Sequence, residues 1–312
     1  MVILEKTSLI APVLLISFNR PDLTRKALGS IRRAKPAKLY FFCDGPRPGK
    51  TLDAESTGLV RALVKDIDWV CEIATFFPES NLGCGEGVAS AISWVLRHEE
   101  CVIIFEDDIL PSNACFEFLD WGLRNWATDS SVGAISACNL VPTEHLRDCS
   151  AVRISKYGNS WGWATWRRAW TSYSITMHDA GTLKLARDLY RVLRSPRLTF
   201  YWWFHTELSR RGVLKTWDYQ WYATLLVNRL GVIYPPINLV ANMGFRSDAT
   251  HSVHQPEYWT GKQNNNVDLK VLELARQVAP QLDKEADRWV ERNVYRLPLK
   301  RMWEHYRIRW SR

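Results

Sequence analysis

Apolar runs alternate with amphipathic stretches along the first 140 residues. Residues 12–18 (PVLLISF) are continuously apolar, the mark of a strand buried on both faces. Asn19-Arg20-Pro21-Asp22 follows, and then an amphipathic stretch to about Arg33. KLYFFC predicts a second buried strand ending in Asp44-Gly45-Pro46, and a helical segment runs from about Asp53 to Lys65. CEIATFF predicts a third strand, and Asn81-Leu82-Gly83-Cys84-Gly85 opens a helix through Arg97. CVIIF, the fourth strand, runs straight into Glu106-Asp107-Asp108, with a helix expected from near Ser112. Strands and helices alternating at this spacing predict an α/β fold of Rossmann-like type: a mostly parallel sheet with helices on both faces.

After about Ser136 the pattern loosens into an irregular, tryptophan-rich half beginning with SWGWATWRRAW at Ser160. A helix is expected over Leu183–Arg194, and TWDYQWYATLLVNRLG reads as a loop entering a helix. The expected organisation is a regular α/β half over 1–140, an irregular tryptophan-rich half over 141–260 that contains Asp218, and a basic aromatic segment over 261–312.

Composition changes this picture in two places. The 312 residues are 46% apolar and 24% charged, which excludes a wholly disordered chain. The formal charge is +8, and the last 26 residues alone hold eight Lys or Arg against three Asp or Glu, so the positive excess is largely a tail property. Sixteen tryptophans are far above ordinary usage, and eight of them fall between Trp161 and Trp221. Seven cysteines lack CxxC pairs and metal-ligand spacing, which fits buried free thiols and a reducing cytoplasm. The N-terminal apolar run carries Glu5 and Lys6 and is too short to span a bilayer. The expectation is a cytoplasmic protein. Its basic aromatic tail has the composition of a surface helix for anionic membranes, or of a terminal helix packed on the catalytic domain.

Open α/β sheets bind ligands at the carboxyl ends of their strands, and the polar residues gather there: Asn19 and Arg20, Asp44, Asn81, and Glu106 to Asp108. Three consecutive acids repel one another unless a cation or solvent relieves them. A hard divalent ion shared with phosphates would do so, as would simple solvation of an acidic turn. Arg20 suits a phosphate or a base, and Asp44 suits a base N–H; each also suits a salt bridge or an Asp-Gly turn. Asn81 and Gly83 precede a helix N-terminus suited to phosphate or ribose. Asp218, between Trp217 and Tyr219, is a carboxylate among rings, and so a candidate general base or a helix cap. Trp161, Trp163, Trp217 and Trp221 are candidate walls for a ring-shaped ligand, a sugar or a base, set against their use as core.

In collinear order, VLLISFNRPDLTRKAL, FFCDG, NLGCGEGV, VIIFEDDILPSNACFEFL, AISACN, GWATW and TWDYQW resemble nucleotide-sugar glycosyltransferases of the GT-A fold. The similarity is to the N-acetylglucosaminyltransferase I type and related bacterial sugar transferases, over roughly residues 10–255. The resemblance implies that Asp108 ligates a divalent ion, Mn²⁺ or Mg²⁺, with Asp107 near ribose or the metal's waters and Glu106 near the donor sugar. It also implies that Arg20 and Asp44 hold the base, most often uracil, that Asp218 is the general base, and that His251 approaches the diphosphate or metal. Glu-Asp-Asp stands where Asp-x-Asp is commoner, and the second half matches only at short motifs. The activity so implied is transfer from a UDP-linked sugar to a hydroxyl of a glycan or lipid-linked saccharide, with inversion.

Three other classes compete. A sugar-1-phosphate nucleotidyltransferase would carry a glycine-rich loop after its first strand, where this chain has FNRPDLTRK. A nucleic-acid-binding protein would not set acids along its ligand edge. A non-catalytic carbohydrate-binding protein has no need of Asp44, the acidic string and Asp218 together.

Overall fold

The structure, a computed structural model, describes residues 10–177, 181–245 and 279–296, with Leu272, Glu273, Ala275 and Gln277 between them. The first four strands fall where their apolar runs lie: β1 (Val13–Ser17), β2 (Lys38–Cys43), β3 (Glu72–Phe76) and β4 (Cys101–Glu106). All five residues of β1 are buried, which is why it reads as an unbroken apolar run. Alternate residues serve opposite faces. Leu15, Phe41 and Phe105 join one core; Leu14, Phe42 and Ile104 join the other.

Between these strands run α1 (Pro21–Ala34), α2 (Thr51–Ala62) and α3 (Gly83–His98), with α4 (Asn113–Asn125) after the acids. Pro21 opens α1, where a missing N–H costs nothing, and Arg32 and Arg33 face the negative end of its dipole. Ser112 caps α4 by accepting from the Cys115 N–H at 3.2 Å. α1 and α4 bury Ile31 and Phe118 against one face of the sheet, while α3 buries Ile92 and Val95 against the other.

The second half completes the same sheet with β6 (Val132–Ser136), β7 (Arg153–Ser155), β8 (Trp163–Trp166), β9 (Gly231–Tyr234) and β11 (Gln281–Leu282). The strand order is β11-β7-β9-β6-β8-β4-β1-β2-β3. The central sheet is mostly parallel: β3, β2, β1, β4, β6 and β9 share one direction, and β8, β7 and β11 oppose it. β8 lies between β4 and β6, so the sheet draws strands from both sides of residue 140.

A two-stranded ribbon, β5 (Ile109–Pro111) with β10 (Val240–Asn242), leaves directly from the acidic string. Around a third core pack α6 (Thr182–Leu193), α7 (Pro196–Arg210), α8 (Asp218–Val227) and α9 (Lys284–Asn293), the last through Ala286 and Val290. A short α5 (Arg167–Trp170) follows β8. All seven cysteines are free. Among the described residues, no helix is long and apolar enough to cross a membrane.

Candidate functional site

The carboxyl ends of β1, β2 and β4 face one edge, and the polar residues there are bonded to one another. Gly45 follows β2 because Ser80 returns so close that a Cβ would stand 2.3 Å from its carbonyl carbon. That approach sets the loop against Asp44. Oδ1 of Asp44 accepts the N–H groups of Gly45 (2.8 Å) and Leu82 (2.9 Å); Oδ2 accepts Asn81 Nδ2 and the Gly83 N–H, both at 2.9 Å. A carboxylate has about four lone-pair positions, and these are filled. Asp44 is expected to receive a nucleotide base, with Asn81 and Gly83 on phosphate or ribose; here the carboxylate bonds within its own loop. Asp44 holds the entry to α3 in place, and Asn81 and Gly83 are turned toward it. Asn19 likewise donates to Asp53 Oδ1 at 2.9 Å, so it braces the start of α2.

The acids at the end of β4 remain the charged centre. Asp107 is 3% exposed, and its Oδ2 has no hydrogen-bond partner among the described residues. The Arg20 guanidinium reaches Asp107 Oδ1 at 3.5 Å and Asp108 Oδ2 at 3.2 Å. It was expected to meet a phosphate or a base; here it bridges the two acids. Burial, then Asp108, Asp107 and Asp218, pushes Glu106 up to about 8. Burial pushes Asp107 up to about 7 against the pull of Arg20, and it raises Asp108 against the same pull. One guanidinium therefore leaves the three acids short of positive charge.

A divalent cation would supply the missing positive charge. The donor set fits such an ion through Asp108 and the unpartnered Oδ2 of Asp107. Among the described residues, no group of three or more His, Cys, Asp or Glu side chains is arranged to hold a metal ion, so phosphate and water oxygens would have to supply most of the shell. His251 lies outside the described residues, as do residues 297–312 of the basic tail. Within the tail's described part, Trp289 packs against two of the cores and Tyr295 is buried.

Asp218 stands at the first turn of α8, where Oδ1 accepts from Thr216 Oγ1 (2.6 Å) and its neighbour's N–H, that of Tyr219 (2.9 Å). Its charge reaches Glu106. Cys84, in the first turn of α3, joins the two centres: burial first, then Glu106, Asp218 and Asp108, raises its thiol. Asp218 also lines a cavity of about 200 Å³ with Tyr157, Trp161, Trp202 and Tyr222.

The tryptophan expectation divides. Trp163, Trp217 and Trp221 are 1–2% exposed, and Trp163 stacks on Trp217 at 5.5 Å inside the second core. Three of the four proposed acceptor walls are therefore interior packing. Trp161 alone lines the cavity, edge-on to Phe245 at 5.7 Å.

Sequence reasoning missed Arg153 and Gly244. Arg153 lines the cavity from β7, and its place between Val152 and Ile154 is an alternation too short to read. Gly244 presses on Asp108: a Cβ there would lie 2.3 Å from Oδ2.

No protein-family profile matches the sequence, and no curated protein matches it. Solved structures show partial likeness. One assigned as a glucose-1-phosphate thymidylyltransferase of Bacillus anthracis, in complex with sucrose, has a TM-score of 0.39 at 9% identity, covering 89% of this chain and 99% of that one. The inositol-1-phosphate CTP transferase of T. maritima scores 0.32 at 8% identity, covering 52% and 73%. A 4-diphosphocytidyl-2C-methyl-D-erythritol synthase of Anaerococcus prevotii scores 0.32 at 10%, covering 61% and 78%.

Proposed function

We propose that this chain is a metal-dependent glycosyltransferase of GT-A type, moving a sugar from a nucleotide diphosphate, UDP foremost, to an acceptor hydroxyl. The observation that carries the reading is the pairing of two centres. At the end of β4 the buried Asp107 and the part-buried Glu106 and Asp108 have Arg20 as their paired cation, and Asp218, whose charge reaches Glu106, lines a cavity.

Asp107 and Asp108 would hold the divalent ion, which when bound neutralises the diphosphate. Arg20, already at the acids, is placed to follow the phosphates. Asp44 fixes the loop that walls the donor side through its bonds to Leu82 and Gly83. Asp218 takes the proton of the attacking hydroxyl, and a single displacement with one base inverts the anomeric centre.

Sugar-1-phosphate nucleotidyl transfer is the second reading, because the same acidic strand end would serve a nucleoside triphosphate. Pro21 at the first turn of α1 removes one backbone donor at the place where a phosphate-cradling loop would need it.

The test is calorimetry with nucleoside diphosphates and sugar nucleotides, with and without Mn²⁺. Metal-dependent binding that Asp108→Ala abolishes supports the site, and Asp218→Asn should keep donor affinity while losing transfer. Absence of binding to any sugar nucleotide overturns the proposal. Pyrophosphate release from a sugar 1-phosphate and a nucleoside triphosphate installs the second reading.

A further inference from the structure

Arg153 is 5% exposed and sits on the lining of the cavity that holds Asp218. Its Nη2 donates to Asn139 Oδ1 at 3.1 Å, and its guanidinium lies over the Tyr234 ring at 4.4 Å. Its Nε and Nη1 have no hydrogen-bond partner among the described residues. Burial disfavours the cation, while Tyr234, Asp287 and Asp283 favour it. Neither of those acids bonds to it. Asp287 accepts from Ser155 and Lys156, and Asp283 accepts from Arg147, Glu285 and Ala286.

Unmet donors on a buried cation cost free energy, and a group that carries only acceptor oxygens relieves that cost. The cavity, about 200 Å³, is below the roughly 300 Å³ at which ordinary ligand pockets begin, so it suits a single ring. Tyr222 and Trp161, both part-exposed on the lining, are rings suited to sugar C–H groups.

We infer that this cavity seats the terminal sugar of the acceptor, and that this sugar carries an oxyanion, a carboxylate or a phosphate, received by Arg153. The inference rests on the glycosyl-transfer reading of Asp218. It also orients the acceptor. Asp218 repels an oxyanion, so the charged group lies toward Arg153 and a hydroxyl is left to face the base.

The experiment titrates the full chain, without nucleotide, with glucuronate, galacturonate and glucose 6-phosphate against glucose and galactose. At least one charged sugar should bind tenfold or more tightly than its neutral counterpart, and whether the uronates or the phosphate binds identifies the oxyanion. Arg153→Met should erase the difference and Arg153→Lys should keep part of it. Should Arg153→Met fail to fold, the comparison of charged with neutral sugars in the unaltered protein still decides. Equal affinity for charged and neutral sugars, or binding of none, overturns the inference. Nucleotide binding without charge preference sinks this inference alone; charge preference without nucleotide binding sinks the transferase reading instead.

Discussion

The Arg20 guanidinium lies 3.2 Å from Asp108 Oδ2, tying the entry of α1 to the end of β4. Among the described residues it is the basic side chain paired with Asp107 and Asp108, beside Glu106, and burial pushes Glu106 up to about 8 and Asp107 up to about 7. In the unfolded chain these carboxyls ionise near their ordinary values, about 4. Between those values the folded chain binds more protons, so stability falls as pH rises. The melting temperature in chelator should therefore drop from pH 5 to pH 8.5. Arg20→Met should steepen the drop, and Mn²⁺ should reduce it at the alkaline end. A flat or rising profile in chelator over that range contradicts the charge deficit.

Gly244→Ala tests how Asp108 is placed. The added Cβ would fall 2.3 Å from Asp108 Oδ2, which pairs with Arg20, and 3.0 Å from Asn242 Oδ1, which accepts the Gly244 N–H, so the Asp108 side-chain end is the one that must shift. The fold should tolerate the change, with a melting temperature within a few degrees of the parent. Metal-dependent nucleotide affinity should weaken about tenfold, roughly 1.4 kcal/mol, because the displaced carboxylate no longer meets the ion. Unchanged affinity would remove Asp108 from the binding edge.

β1, β2 and β4 were legible because central strands buried on both faces leave apolar runs such as VLLIS and LYFFC, whereas β3 is an edge strand whose residues are largely exposed. β7 and β8 have three and four residues, and nothing in WATW announces a reversed strand between β4 and β6. The acidic string was legible for the same reason as β4, since three charges directly after a buried run must face an edge. The partners of Asp44 were not, because three of its four donors are main-chain N–H groups, which have no residue signature. Arg153 was hidden in a strand too short for its alternation to register.

Asp44 should therefore behave as a structural acid before it behaves as a ligand. Asp44→Ala removes the acceptor of the buried Gly45 N–H and of the part-buried Leu82 and Gly83 N–H groups, and should cost roughly 1–3 kcal/mol in urea denaturation. Asp44→Asn keeps one acceptor oxygen but turns an NH₂ toward N–H donors, so it should recover only part of the loss. Donor affinity per folded molecule should fall in both, through the displaced α3 entry. A stable Asp44→Ala protein that fails only in nucleotide binding would return Asp44 to the role of direct base contact.

The tryptophans separate by the same criterion. Trp163 is 1% exposed and packs against Trp170, Trp217 and Trp221, so Trp163→Ala should cost roughly 3–5 kcal/mol. It should leave the acceptor affinity of the folded fraction nearly unchanged. Trp161 is half-buried at the cavity, and its edge-to-face contact with Phe245 leaves it responsive to an incoming ring. Trp161→Phe should keep stability within about 1 kcal/mol, since the ring is replaced by a smaller one at a partly open place. It should also abolish most of the fluorescence change on adding a sugar that fills the cavity. If the change survives in Trp161→Phe and disappears instead with a conservative change at Trp217 or Trp221, the acceptor reaches the interior ring stack, and the assignment of those tryptophans to the core is wrong.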